Sequence, residues 1–118
     1  MKTNGKPLII YTAGPYRAPT PQDVDQNILT ARGVAVKVWE RGHYAICPHL
    51  NTNQFERLCD VPDSQWLKGD LVMLERCDAI LMVPGWEDSA GSRHELEHAK
   101  AHGLQVFYNL TEIPTVEI

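Results

Sequence analysis

Apolar residues gather along this chain in short unbroken runs, separated by longer stretches with a helical period. Leu8-Ile9-Ile10-Tyr11-Thr12 lies between Pro7 and Gly14-Pro15 and shows no polar alternation. A strand of that kind is buried on both faces, as in a parallel sheet. His43-Tyr44-Ala45-Ile46-Cys47, Asp78-Ala79-Ile80-Leu81-Met82-Val83 and Leu104-Gln105-Val106-Phe107-Tyr108 are three more runs of this type. Between the first two, Thr20-Pro21-Gln22-Asp23 supplies a hydroxyl cap, a first-turn proline and an acid where the helix dipole favours one. Ile28, Ala31, Ala35, Val38 and Trp39 then recur at three- and four-residue spacing, and Gly42 is placed to stop the helix. A second helix is predicted from Asp63 or Ser64 to about Glu75, with Trp66, Leu67, Leu71 and Leu74 inward. A third runs from about Ser92 to His102, stopped by Gly103. Trp39 and Trp66 are assigned to the core. The stretch from His49 to Val61 has no period, and loops of that length are usually functional.

Alternating strands and helices predict an α/β domain over residues 1–118, with a parallel sheet of four to five strands covered on both faces. Ligands in such sheets bind at the carboxyl ends of the strands, where strand order reverses. The loops to watch are therefore Thr12–Pro19, Pro48–Val61 and Pro84–Gly91. The tail from Asn109 to Ile118 is apolar enough to dock on this chain or on a neighbouring subunit.

Composition narrows the function classes. Eleven Lys and Arg against 15 Asp and Glu give a net charge of −4, which argues against a nucleic acid polymer as partner. No run approaches the length of a membrane span, and Leu8 to Tyr11 is too short for a signal-peptide core. Cys47, Cys59 and Cys77 form no CxxC pair, so reduced thiols in a cytoplasm are expected rather than a disulfide scaffold or zinc module.

The loops at the ligand end carry the candidate chemistry. Ser89, Gly91 and Ser92 make a donor-rich turn into a helix N-terminus, which suits an anion, although a plain helix cap explains the same residues. Glu95 follows one turn later, beside Leu96 and Ala99, at the edge of the expected cleft. The first loop offers Tyr11, Gly14 for close backbone approach, Tyr16, and Arg17 with a phosphate-matching guanidinium. Asp70 lies among apolar helix positions, whereas Asp78 stands at the wrong end of its strand and reads as a structural turn residue. His49 follows the second strand at the correct end, and Trp86 could stack on a flat ring. His94, His98 and His102 have a spacing compatible with a metal, but no carboxylate completes a zinc signature. No metal or cofactor is expected.

In combination, Tyr11-x-x-Gly14-x-x-Arg17, Asp70-Leu71, the Asp78-led strand and Ser89-x-Gly91-x-x-x-Glu95-Leu96-x-x-Ala99 resemble the nucleoside 2-deoxyribosyltransferase family, near its small 2′-deoxynucleoside 5′-phosphate N-hydrolases. The resemblance runs from about Ile9 to Phe107 and departs from that branch at Pro15-Tyr16 and in the long second loop. It implies a flavodoxin-like, Rossmann-like three-layer sandwich and N-glycosidic cleavage or transfer on a nucleoside or nucleoside 5′-monophosphate. By the same resemblance Glu95 is the nucleophile, Asp70 holds the sugar and assists proton transfer, and Tyr11 orients Glu95. Arg17 and Ser89 would bind a 5′-phosphate, with Gly14, His49, Trp86, Gly91 and Ser92 completing the pocket. A homodimer or higher symmetric oligomer follows, because relatives complete their sites across an interface. The alternative is a non-catalytic nucleotide-binding module on the same fold.

Overall fold

A computed structural model describes residues 2–3 and 5–118. Four strands, β2 (Ile9–Ala13), β3 (Tyr44–Ile46), β4 (Ala79–Met82) and β5 (Gln105–Phe107), pair in parallel in the order β3-β2-β4-β5. The sheet has four strands, at the lower end of the expected range. A two-residue strand β1 (Lys2–Thr3) pairs separately, and in parallel, with β6 (Thr115–Val116).

Parallel pairing needs a long return connection, and helices supply it. α1 (Pro21–Glu40) lies between β2 and β3, α3 (Asp63–Glu75) between β3 and β4, and α4 (Ala90–Ala101) between β4 and β5. Alternate strand residues face opposite layers. Ile10, Ala79, Leu81 and Phe107 meet Val38 of α1 on one face. Tyr11, Ile80 and Met82 meet Leu74 of α3 with Leu96 and Ala99 of α4 on the other. Burial on both faces explains the unbroken apolar runs of β2 and β4; β3 and β5, at the sheet edges, are only partly buried. Asp78 is structural, as expected: its Oδ2 accepts the Ile9 N–H at 2.8 Å and ties the start of β2 to that of β4.

α1 begins as predicted, with Thr20 Oγ1 accepting the Asp23 N–H at 3.1 Å and Pro21 in the first turn. Its buried stripe is Ile28, Ala31, Ala35 and Val38. Trp39 is a correction. One residue past Val38, it is rotated off the stripe, stands half exposed and packs on Tyr44 instead of the core. α3 buries Leu74 and partly Leu71, but Leu67 is exposed and Trp66 only half-buried. The first turns of this helix face the cleft rather than the sheet, so the apolar period there does not mark core. The aperiodic second loop contains a short helix, α2 (Pro48–Asn51), and a 3₁₀ turn, Phe55–Arg57.

The tail docks on its own chain. Ile113 and Val116 are buried, and only Ile118 at the end is fully exposed. His43 supports this arrangement: its Nδ1 accepts the Leu8 N–H at 3.0 Å, and its Nε2–H donates to the Pro114 carbonyl at 2.6 Å. The Arg41 carbonyl accepts the Val116 N–H at 2.8 Å. Gly42, which stops α1, has φ +87°, and a Cβ there would stand 2.3 Å from the Val116 carbonyl oxygen. Ile113 and Val116 are therefore covered in cis and carry no argument for a second subunit.

Candidate active site

β2 and β4 are neighbours, and their following connections leave toward different layers, so strand order reverses between them. The cleft that opens there has a volume of about 580 Å³, within the range of small-molecule sites. It is walled by the loop after β2 (Gly14 to Arg17), the second loop, the first half of α3 and the start of α4.

Glu95 lies in the second turn of α4 and lines this cleft. Leu96 and Ala99, buried on the sheet, set the rotation of the helix, and Glu95 is turned from the sheet toward the cleft as a result. Tyr11, wholly buried on the α3/α4 face of β2, donates its hydroxyl proton to Glu95 Oε2. Asp70, half-buried on α3, lines the cleft from the facing wall. Burial raises the Glu95 carboxyl to about 7; the Tyr11 hydrogen bond opposes that rise and the charge of Asp70 adds to it. Burial alone raises Asp70 to about 6. Tyr11 is pushed well above the ordinary phenol value by burial and then by the two carboxylates, so it stays a proton donor to Glu95. Two carboxyl groups with raised and unequal proton affinities facing one cavity can divide a nucleophile's and an acid's work.

The start of α4 adds polar groups. Ser89 is the N-cap: its Oγ accepts the Ser92 N–H at 3.2 Å and the Ser92 hydroxyl at 2.9 Å. Ser89, Gly91 and Ser92 all line the cleft, so the cap and the dipole's positive end face the same space. Arg17 reaches the cleft as well, with Nη2 2.6 Å from Asp63 Oδ1 in an exposed ion pair.

Other candidates sit differently from their sequence reading. His49 lines the cleft, but it braces the first loop, its Nε2–H donating to the Pro15 carbonyl at 2.8 Å. Its Nδ1 is buried with no partner among the described residues, and burial lowers the ring's proton affinity. Gly14 lines the cleft too, yet the close approach that excludes a side chain is to Val83, whose Cβ would lie 2.5 Å from an added Cβ. Trp86 is not brought to the cleft; it sits in a 3₁₀ turn and packs on Tyr108 at 5.9 Å. The indole in the cleft wall is Trp66, edge-on to Phe55. Sequence reasoning missed Glu56 and gave Tyr16, which the first loop supplies, no partner. The Tyr16 hydroxyl donates to Glu56 Oε1 at 2.8 Å and accepts the Gln54 N–H at 3.1 Å, pinning the second loop to the first. Only the aperiodicity of that loop hinted at such a role.

Comparison with known proteins adds three findings. A family model described as "Domain of unknown function (DUF7768)" matches residues 8–109. No curated protein matches the chain. Among solved structures, the chain is similar to the 2-desoxiribosyltransferase from Leishmania mexicana, with a TM-score of 0.58 and 21% identity over 85% of this chain. The chain spans 62% of the length of that protein. At this identity the likeness speaks for the α/β fold alone.

Proposed function

The chain belongs to the Domain of unknown function (DUF7768) family, whose description assigns no chemistry, and from its cleft we propose that it is an N-glycosidase or nucleoside deoxyribosyltransferase-type enzyme. Its substrate on this reading is a nucleoside or nucleoside 5′-monophosphate. The observation that carries the proposal is the buried Tyr11–Glu95 pair at the strand-order reversal, with Asp70 in the same cleft. The fold likeness to a deoxyribosyltransferase supports it.

In the proposed reaction the ionised Glu95 carboxylate approaches C1′ of the sugar. The bond from C1′ to the base nitrogen breaks through an oxocarbenium-like state, and its electron pair leaves with the nitrogen. Asp70, protonated, gives that nitrogen its proton. Water or a second base then attacks C1′ and frees Glu95, losing a proton to Asp70. Tyr11 holds Glu95 in place and shares its charge. Arg17 and the Ser89–Ser92 turn face the 5′ end of the sugar. Within this reading the whole chain is one deoxyribosyltransferase-like domain working in a reducing cytoplasm, and no nucleic acid polymer or membrane takes part.

The test is incubation with a panel of nucleosides and 5′-monophosphates, with free base read by chromatography. Release of base supports an enzyme; thermal stabilisation by a ligand without any turnover supports the binding-module alternative. The profile of kcat/KM against pH checks the acid–base assignment. One proton on the Glu95/Asp70 pair is the working state; it rests mostly on Glu95, whose proton affinity is the higher, and the reactive form is the minor one in which Asp70 holds it and Glu95 is ionised. Below about 6 both carboxyls are protonated and the nucleophile is lost; above about 7 both are ionised and the leaving base finds no proton. A bell between those limits is expected, and a profile flat from pH 5 to 8 refutes the pair.

The proposal also includes a homodimer. Leu67 lines the cleft and is exposed, and Leu58 and Phe55 stand exposed on the second loop, where a second subunit would cover them. Light scattering is expected to show a dimer or larger species at micromolar concentration; a monomer refutes it.

A further inference from the structure

We propose that Glu75, His98 and His102 form a binding site for a first-row divalent metal ion of the zinc class, at the end of the sheet opposite the cleft. The four-residue histidine spacing was visible in the chain, but the carboxylate comes from another helix and only the fold supplies it. α3 ends at Glu75, and α4 ends one residue before His102, so both helices deliver their final turns to one place. His98 Nε2 lies 3.0 Å and His102 Nε2 3.2 Å from Glu75 Oε1. All three ligand atoms fall within 4.8 Å of one another. Bonds of about 2.0–2.2 Å to a tetrahedral ion put its ligands about 3.3–3.6 Å apart, so binding needs the two imidazoles to move only slightly outward from Glu75. His94, a turn earlier on α4, is not part of the group.

Two further features call for a cation. His102 Nδ1 lies 2.9 Å from the His98 carbonyl oxygen, which can only accept, so Nδ1 carries the hydrogen. In the neutral ring Nε2 is then a lone pair facing a carboxylate oxygen, and two acceptors at 3.2 Å need a positive charge between them, either a proton on the ring or a bound cation. The Nδ1–H to carbonyl bond is also the outer contact that orients metal-bound histidines. Moreover, the negative ends of two helix dipoles converge on a carboxylate, which concentrates negative potential there. The nearby Lys100 is turned to Glu97 at 3.5 Å. All three ligands are solvent-accessible enough for an ion to enter, and imidazole with carboxylate is a donor set suited to zinc. Three protein ligands leave a fourth position for water. The ion would clamp the end of α3 to the end of α4 and would not touch the cleft.

The experiment uses the full chain, stripped with a chelator and given Zn²⁺ alone. Calorimetry is expected to show one equivalent bound per chain, and Tm is expected to rise with zinc. Co²⁺ in its place should give the strong visible absorption of a four-coordinate site. His98→Ala, His102→Ala and the isosteric Glu75→Gln, each shown folded by circular dichroism, should weaken zinc by more than the about 10–100-fold that losing an outer partner costs. Wild-type protein that shows no saturable zinc binding overturns the proposal, since a proton on His102 then meets the electrostatic need. Binding of unchanged affinity in the His98→Ala/His102→Ala variant also overturns it, by placing the ion elsewhere.

Discussion

Glu95→Gln is expected to release base at least about a thousandfold more slowly than the wild-type chain while melting at a higher temperature at pH 8. The first effect follows from losing the proposed nucleophile, which no neighbour replaces: Asp70 stands on the facing wall, and Tyr11 carries its proton. The second follows from burial. A carboxyl held at about 7 in the folded chain but at its ordinary 4.5 when unfolded binds its proton more tightly in the folded state. Stability therefore declines as pH rises from about 4.5 through 7, and above 7 the folded chain carries a cost of about 3 kcal/mol. The amide has no charge to bury, still accepts the Tyr11 hydrogen bond, and recovers most of that cost. The gain in Tm over wild type should be clear at pH 8 and small at pH 4.5. A variant that keeps a tenth of wild-type turnover refutes the nucleophile, and a Tm gain independent of pH refutes the buried carboxylate. The two measurements are separable: the stability effect depends on the environment of Glu95 and not on any substrate.

Arg17→Ala is expected to raise KM for a nucleoside 5′-monophosphate about ten- to a hundredfold and to leave the plain nucleoside nearly unchanged. A charge-assisted hydrogen bond from guanidinium to phosphate contributes about 1.5–3 kcal/mol, and each 1.4 kcal/mol is a factor of ten. In the structure the guanidinium rests on Asp63. That pair is exposed on both sides, and exposed pairs contribute about 0–1 kcal/mol, so a phosphate can displace Asp63 at little cost. Asp63→Asn provides the opposing control. Removing the competing carboxylate, which itself lines the cleft, should lower KM for the monophosphate. Equal losses on both substrates in Arg17→Ala, or no loss on either, refute the phosphate site and leave a free nucleoside as the substrate.

What the chain determines by itself is the set of elements and the end of the sheet where the cleft opens. Runs such as Ile9–Tyr11 and Ala79–Met82 lack polar alternation because both sheet faces are covered, and that pattern is local to each strand. The carboxyl-end rule then marks the loops after β2 and β4, and the cleft lies there with Glu95 and Asp70 on facing walls. Tertiary structure decided the rest, because an apolar period says which residues seek cover and not what covers them. Trp66 and Leu67 share the period of core residues, yet the first turns of α3 meet the cleft. Trp86 looks like a ring-stacking residue in a functional loop, yet it lies outside the cleft and packs at a tilt against Tyr108. Ile113 and Val116 need cover, and residues near Arg41 and His43 provide it within the same chain. Arg17 with Asp63, Tyr16 with Glu56, and Glu75 with His98 are pairs across long sequence separations. Their partners are chosen by where the packed sheet and helices carry them, and no spacing along the chain encodes that.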